Sequence, residues 1–196
     1  MKFPDMKRMQ WRLAAGLLVM GLGLTARASE LTAYDLIREG NRYVGEDVKD
    51  HVVAIHSEKS VAGLTPNIWY VTYYDPDATF KATEVKFGAG RKLQVKRPAR
   101  MLEYATKESE MLDRKKLNVD SDKAIKIATS DPLLKGLTLT ATQLWLEHKD
   151  EGPIWRVRLW AVKLRHPSDE ADIGEVFIKA EDGSVVKTDL HLGRVE

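Results

Sequence analysis

Short runs of alternating apolar and polar residues occur in two blocks of the chain, and a period of two is typical of β-strands with one buried face. The runs are rich in Val, Ile, Thr, Trp and Tyr, and turn-forming residues separate them. Because the loops between them are short, we expect successive strands to pair antiparallel. The predicted strands are residues 52–57, 68–74, 79–87 and 92–96 in the first block, and 137–148, 154–165, 174–180 and 184–190 in the second.

A helical segment is predicted before each block of strands. Residues 32–44 begin with Thr32 and Asp35, which have the spacing of a capping box with Asp in place of the usual Glu. Residues 121–130 place apolar side chains on one helical face, and Pro132 follows the end of the segment. Each block is therefore expected to be a helix followed by four strands.

The two blocks also share a short sequence pattern, Ile-Trp-x-Val, at residues 68–71 and again at residues 154–157. Each copy follows a turn signal, Pro-Asn in the first and Gly-Pro in the second. A tandem repeat explains both the shared pattern and the shared order of elements. We therefore predict an α+β fold of two tandem α-β-β-β-β repeats, each with its helix packed on an antiparallel four-stranded sheet. Free edge strands would allow the two sheets to join into one larger sheet.

The first 28 residues are typical of a cleavable secretory signal peptide. Basic residues precede the twelve apolar residues 13–24, and Ala26 and Ala28 are the small residues expected at the −3 and −1 positions before a cut at Ser29. Twelve residues of helix span about 18 Å, too short for a hydrocarbon core of about 30 Å, so a cleaved signal is favoured over an uncleaved anchor. We predict an exported protein, periplasmic or secreted, with no membrane span after signal removal.

These features divide the chain into four predicted segments. A charged connector separates the two repeats, and a helical piece is expected within it at residues 101–117. The predicted segments are the signal peptide at 1–28, the first repeat at 29–97, the connector at 98–118 and the second repeat at 119–196.

Removal of the signal peptide changes the sign of the net charge. The whole chain has 31 Lys and Arg residues against 29 Asp and Glu residues, a formal net charge of +2. Without residues 1–28 there are 26 basic and 28 acidic residues, a net charge of −2. This balance gives no electrostatic support to nucleic-acid binding, so we expect no nucleic-acid partner. The 196 residues include no Cys, so the apolar core has to hold an exported fold without disulfides.

The sequence lacks the common catalytic and metal-binding patterns. It has no Cys nucleophile, no Gly-x-Ser-x-Gly motif and no glycine-rich loop before a helix. His51 and His56 are five residues apart, which places them on opposite faces of a strand and disfavours a shared metal ion. The acidic residues at 75–77 and 169–172 lack the spacing of a calcium-binding loop. We therefore predict that the protein is not an enzyme and binds no metal or cofactor.

Period-two alternation also assigns the strand faces. Trp155 and Val157 fall on the face that a helix would cover, and Trp69 is their counterpart in the first block. The opposite side of the sheet, called the outer face below, is mixed aromatic and basic. Because Tyr, Trp and Arg are enriched at protein interfaces, we predict that this face binds a partner. The alternative is that these are ordinary half-exposed strand residues without a binding role, since aromatic residues are common in strands. The predicted binding residues are Tyr70, Tyr74, Arg156, Arg158, Trp160 and Phe177.

Three motifs follow one another in the second block: Ala-Ile-Lys-Ile-Ala at 124–128, Ile-Trp-Arg-Val at 154–157 and Asp-Gly-Ser-Val-Val at 182–186. Together they resemble a PepSY-type repeat. Val-Asp-Ser-Asp-Lys-Ala-Ile-Lys-Ile-Ala at 119–128 is similar to the family's short helix with an A-I-x-I-A signature. Ile-Trp-Arg-Val at 154–157 is similar to its W-x-V strand, and Asp-Gly-Ser-Val-Val at 182–186 to its last hairpin. The resemblance covers residues 119–190. The first block is a weaker match, because residues 34–40 lack the helix signature.

The resemblance implies a cystatin-like arrangement, in which each helix packs across an antiparallel four-stranded sheet. It also implies extracytoplasmic modules without catalytic residues, which inhibit or regulate peptidases or bind other proteins. We therefore predict an exported, non-catalytic binding protein that engages or regulates another extracytoplasmic protein, such as a peptidase, through its open sheet face or hairpin loops. The alternative is a periplasmic carrier of a small molecule or lipid, with the ligand between sheet and helix.

Overall fold

One antiparallel sheet of eight strands forms the framework of the computed structural model, which describes residues 31–97 and 106–196. Two α-helices in the described residues, α1 (Ala33–Gly40) and α2 (Ser121–Thr129), pack against one face of this sheet. The fold is therefore α+β, as predicted. The strands are β1 (Val52–Ser57), β2 (Ile68–Tyr74), β3 (Ala82–Gly88), β4 (Arg91–Lys96), β5 (Leu139–Lys149), β6 (Gly152–Val162), β7 (Glu170–Lys179) and β8 (Val185–Leu190).

The strand order is β4-β3-β2-β1-β5-β6-β7-β8, and every neighbouring pair is antiparallel. Strands β1 and β5 connect the two halves, with Ile55 opposite Leu146 and His56 opposite Trp145. The strands of both blocks thus form one continuous sheet, whose edges are β4 and β8. Each half contains a helix followed by four strands, which is compatible with a tandem repeat; the repeat itself stays a prediction.

Helix α1 begins with the predicted capping box. The Thr32 hydroxyl accepts a hydrogen bond from the Asp35 backbone N–H, and the Asp35 carboxylate accepts one from the Thr32 N–H at 3.3 Å. The helix ends at Gly40, four residues before the predicted end at 44. At Gly40 the helix lies so close to the sheet that a Cβ would collide with the Tyr73 hydroxyl. That hydroxyl donates a hydrogen bond to the Ile37 carbonyl at 3.1 Å, which links the last turn of α1 to β2.

The N-termini of the two helices meet through Asp120, the residue that caps α2. Its carboxylate accepts hydrogen bonds from the Ser121 N–H at 2.6 Å and from the Tyr34 N–H of α1 at 3.2 Å. The Ser121 hydroxyl accepts a further bond from the Ala33 N–H at 3.1 Å. Burial raises the pKa of the Asp120 carboxyl above its ordinary value, although these N–H donors favour the charged form. One carboxylate therefore satisfies free N–H groups of both helices.

The core lies between the helices and the inner face of the sheet, and Trp155 is at its centre. The Trp155 side chain is fully buried, and its ring stacks on that of Tyr34 with 6.2 Å between centroids. The Trp155 indole N–H and the Tyr34 hydroxyl both donate to the Val119 carbonyl, at 2.7 and 2.6 Å. The face assignment from alternation is correct. Its inward residues are all buried: Trp69, Val71, Tyr73, Trp155, Val157, Leu159, Ala161, Val176 and Ile178.

Three strand boundaries differ from the prediction by three or more residues. Strand β3 begins at Ala82 instead of 79, because residues 75–81 form a turn in which the Asp75 carboxylate accepts the Asp77 N–H at 3.1 Å. Strand β7 begins at Glu170 instead of 174, because residues 170–172 pair with the end of β6. Strand β6 ends at Val162 instead of 165.

The predicted connector helix at 101–117 is wrong over its described part. Residues 106–117 contain two single 3₁₀ turns, Glu108–Glu110 and Arg114–Lys116. Between these turns Leu112 is buried, and its N–H donates to the Val52 carbonyl at 2.8 Å. Residues 106–117 thus form no α-helix, and the segment is held to β1 by the buried Leu112 side chain and its backbone hydrogen bond. The rest of that segment, and the predicted signal peptide at 1–28, lie outside the described residues.

The helices within residues 31–97 and 106–196 contain at most 9 residues each. None of them is long and apolar enough to cross a membrane. This agrees with the expectation of no membrane span for that part of the chain.

Candidate binding face of the sheet

The strand register places seven outward-facing residues in one line across the sheet, which we call the central row. The row contains aromatic and cationic residues and no carboxylate. It crosses seven strands and is about 29 Å long at about 4.8 Å per strand. In order from β3 to β8 its members are Lys86, Tyr70, His56, Trp145, Arg156, Phe177 and Lys187.

The half of the central row on β5 and β6 is built around Trp145. The Arg156 guanidinium lies over the Trp145 ring, 4.2 Å from its centroid. Arg158 approaches the same ring to 5.4 Å, so two cations share one indole. At the β8 end the Lys187 ammonium lies 5.6 Å from the centroid of the Phe177 ring. These contacts hold long cationic side chains flat against the sheet.

The half of the row on β1 to β3 is a second aromatic cluster. The His56 and Tyr70 rings stack with 4.5 Å between centroids and 7° between planes. The Lys86 ammonium lies 4.8 Å from the Tyr70 centroid and pairs with Glu58 at 3.0 Å. The Tyr70 hydroxyl also donates to Glu58, at 2.5 Å. Hydrogen bonds from Tyr70 and Lys86 lower the pKa of the Glu58 carboxyl.

Carboxylates flank the central row and hold Arg156 of the row and its neighbour Arg158 in place. Glu175 Oε1 lies 2.7 Å from an Arg158 nitrogen and 3.7 Å from an Arg156 nitrogen. Asp172 is a second partner of Arg158, at 3.8 Å. The two arginines keep about a third of their side-chain surface exposed, 29% for Arg156 and 35% for Arg158. The arginines are thus ordered but still accessible to a partner.

All six residues of the predicted site lie on the outer face and are half-buried. The structure brings Arg156, Arg158 and Phe177 together, and Tyr70 lies in the same row three strands away. Tyr74 and Trp160 do not join them, because they lie toward opposite ends of the sheet. Their role in binding stays a prediction.

Trp160 belongs to a separate feature at one end of the face. The Lys59 ammonium lies 4.8 Å from the centroid of the Trp160 ring and forms an ion pair with Glu170. Lys59 and Glu170 border a cavity of about 620 Å³ between the loop after β1 and the start of β5. Trp160 therefore packs against a loop, whereas the central row lies open.

Sequence reasoning missed His56, Trp145, Lys86 and Lys187. Trp145 could have been found, because Leu144 and Leu146 on either side of it are apolar and alternation then points Trp145 outward. The contact between His56 and Trp145 depends on the pairing of β1 with β5, and no local pattern specifies that pairing. Among residues 31–97 and 106–196, no three His, Cys, Asp or Glu side chains are grouped so that they could hold a metal ion.

His56 gives the central row a predicted pH dependence. Burial lowers the pKa of the His56 imidazole below its ordinary value; the Glu84 carboxylate opposes this shift and the Lys96 ammonium reinforces it. The unfolded chain therefore binds a proton more readily than the folded chain. The free energy of unfolding should be highest above the ordinary histidine pKa of about 6.5 and should decrease as the pH falls below it, by at most about 1.4 kcal/mol per pH unit.

Urea unfolding at pH 7.5, 6.5 and 5.5 measures this effect (about one unit on each side of the ordinary histidine pKa). The His56→Phe variant keeps an aromatic ring against Tyr70 but has no proton to bind. We expect it to lose stability less steeply than the wild type over this range. An identical slope in both proteins would show that His56 is not the group responsible.

Comparison with known proteins finds no family model, no curated protein and no solved structure that matches the chain. The resemblance to a PepSY-type repeat therefore stays a prediction, and the outer face has to be interpreted from its own chemistry.

Proposed function

We propose that the protein is an exported, non-catalytic binding protein that docks another exported protein on the central row. The central row itself is the observation that supports this function most. It joins four aromatic rings and three cations into one accessible line on the side of the sheet away from the described helices. Export is supported by the pattern of residues 1–28. The tandem repeat and the relation to PepSY-type modules belong to the same proposal.

The charges of the central row indicate the chemistry of the partner. Lys86, Arg156 and Lys187 contribute the positive charge of the row. Each is paired with one flanking carboxylate, Glu58, Glu175 and Asp189 in turn, and keeps part of its side chain exposed to a partner. A partner that presents carboxylates between apolar or aromatic side chains would complement both the charges and the rings. We therefore propose an acidic, partly apolar protein surface as the occupant. A peptidase that carries such a surface fits this description.

The arrangement of Arg156 reduces the entropic cost of binding. A free arginine side chain loses rotamer freedom when a partner immobilises it. Arg156 already rests on Trp145 and lies 3.7 Å from Glu175, so much of that freedom is lost before any partner arrives. Ordered arginine beside aromatic rings is the composition of energetic hot spots in protein interfaces.

The contacts on the helix side give the carrier hypothesis no support. A ligand between sheet and helix would need an apolar cavity there. The α1 residues Ala33 and Leu36 and the α2 residues Ala124 and Ala128 are fully buried, and the Tyr34 ring stacks directly on Trp155. The described helices thus pack side chain against side chain on the sheet.

Affinity capture from the exported proteins of the native host tests the proposed function. The bait is the purified protein, and the retained partner is identified by mass spectrometry, purified and titrated. The Arg156→Ala/Phe177→Ala variant removes two neighbouring residues of the central row and keeps the Arg158–Glu175 ion pair. We expect the partner to bind this variant at least about tenfold more weakly, while circular dichroism shows that the variant is folded.

The matched control is Lys115→Ala/Leu133→Ala, which removes an exposed cation and an exposed apolar side chain from two 3₁₀ turns outside the sheet. We expect it to bind the partner as the wild type does. If the central-row variant binds the partner as tightly as the control does, the residues of the outer face have no role in binding and the proposal fails.

A further inference from the structure

Strand β8 is a free edge of the sheet. Among the described residues no strand pairs with its outer side, so its outward N–H and C=O groups are available for another strand. Its first two residues are exposed apolar side chains, Val185 at 49% and Val186 at 44% of their surface. The strand continues as Lys187, Thr188 and Asp189. A hydrogen-bonding edge with apolar and oppositely charged side chains is suited to strand addition.

The pairing with β7 determines which backbone groups of β8 point outward. The His191 N–H donates to the Ile173 carbonyl at 2.8 Å, so position 191 is bonded toward β7. In an antiparallel pair the direction of these groups alternates from residue to residue. Positions 189 and 187 therefore also point toward β7, opposite 175 and 177. Thr188 and Leu190 direct their N–H and C=O groups to the free edge.

This alternation restricts how two copies of β8 can pair about a two-fold axis. A register centred on a residue places that residue opposite its own copy. Registers centred on Lys187 or on Asp189 would therefore place two like charges opposite each other. A register centred on Thr188 places Lys187 of each copy opposite Asp189 of the second copy, on the outer face. It also puts the outward backbone groups of the two Thr188 residues face to face. Opposite charges directly across an antiparallel pair are stabilising, so β8 is complementary to itself in this register.

The other edge strand lacks this property. Strand β4 and the residue after it contain Arg91, Lys92, Lys96 and Arg97 and no acidic residue. Two copies of β4 side by side would bring only positive charges together, which disfavours pairing. The chain therefore has one self-complementary edge and one self-repelling edge.

We propose that β8 pairs antiparallel with β8 of a second copy of this chain, centred on Thr188. The eight-stranded sheet then becomes a two-fold symmetric sheet of sixteen strands, and the central rows of both copies lie on one continuous face. The proposal rests on the edge strand and does not depend on the proposed function.

Sedimentation equilibrium of the purified protein tests the pairing through charge reversal. We expect the wild type to reach the mass of two chains reversibly as its concentration rises. Lys187→Asp and Asp189→Lys each turn two attractive pairs into two repulsive ones, and each should weaken dimerisation about tenfold or more. The double variant Lys187→Asp/Asp189→Lys restores opposite charges in the same register and should dimerise as the wild type does.

Arg91→Asp on β4 is the matched control and should leave dimerisation unchanged, with circular dichroism confirming that every variant is folded. Rescue by the double variant distinguishes pairing in this register from a general effect of charge. A wild type that stays at one chain up to about 100 µM would overturn the proposal. Weakening by Arg91→Asp, growth beyond two chains, or failure of the double variant to dimerise would overturn it as well.

Discussion

Replacing Trp155 with alanine is expected to lower the free energy of unfolding by about 3–5 kcal/mol. The side chain is fully buried, stacks on Tyr34 and donates a hydrogen bond to the Val119 carbonyl. Its removal opens a cavity where α1, α2 and the sheet meet, and neighbouring side chains can fill such a space only in part. Urea unfolding followed by far-ultraviolet circular dichroism measures the loss.

Two further variants separate this effect from a failure to fold. Trp155→Phe keeps an aromatic ring and loses the indole donor, but the Tyr34 hydroxyl still donates to Val119; we expect a loss of about 1–2 kcal/mol. Trp145→Ala removes the same side chain from the half-exposed outer face and should cost less than half as much as Trp155→Ala. Equal losses at the two tryptophans would contradict the assignment of a buried and an accessible face.

Replacing Gly174 with alanine is the second change with a large expected effect. Gly174 has φ of +111°, a conformation that strains any residue with a Cβ. A Cβ there would also collide with the Asp189 backbone carbonyl of β8 and lie 3.0 Å from the Leu190 Cα. Since both neighbours are backbone atoms, the strands would have to move apart. We expect a loss of at least about 2–3 kcal/mol in the free energy of unfolding.

Gly193→Ala provides the matched control, because Gly193 has no positive φ and a Cβ there meets no atom within 4 Å. Its effect should stay within about 0.5 kcal/mol. Urea unfolding of both variants decides the comparison. Similar stabilities would mean that β7 and β8 do not approach each other at Gly174 as described.

Local patterns were sufficient for most of the strand layout. Residues 52–57 and 68–74 were predicted with the observed bounds, because alternation and flanking turn residues agree there. The start of β7 was missed because Glu170 and Asp172 are acidic, and acidic residues are uncommon in strands. In the fold these residues pair with the end of β6, and Glu170 has Lys59 as an ion partner. Contacts distant in sequence thus outweighed the local preference.

The candidate site was predictable only in part for a related reason. Alternation placed Arg156, Arg158 and Phe177 on the outer face, which the structure bears out. It did not show that β1 and β5 are neighbours, and that pairing unites the Tyr70 and Trp145 clusters into one row. Asp120 is a similar case: its sequence position suggests a cap for one helix, and only the tertiary structure shows that it serves two.

Site-specific photocrosslinking is the most direct test of the outer face as the docking surface. Because the chain contains no Cys, a single Cys at Phe177 can carry the crosslinker at one defined place, and a single Cys at Leu133 on the opposite side provides the control. Both labelled proteins are irradiated with the exported proteins of the host. The account predicts a covalent adduct with another protein from position 177 and none from position 133. Adducts from position 133 alone, or none from position 177 except with a second copy of the chain, would contradict it.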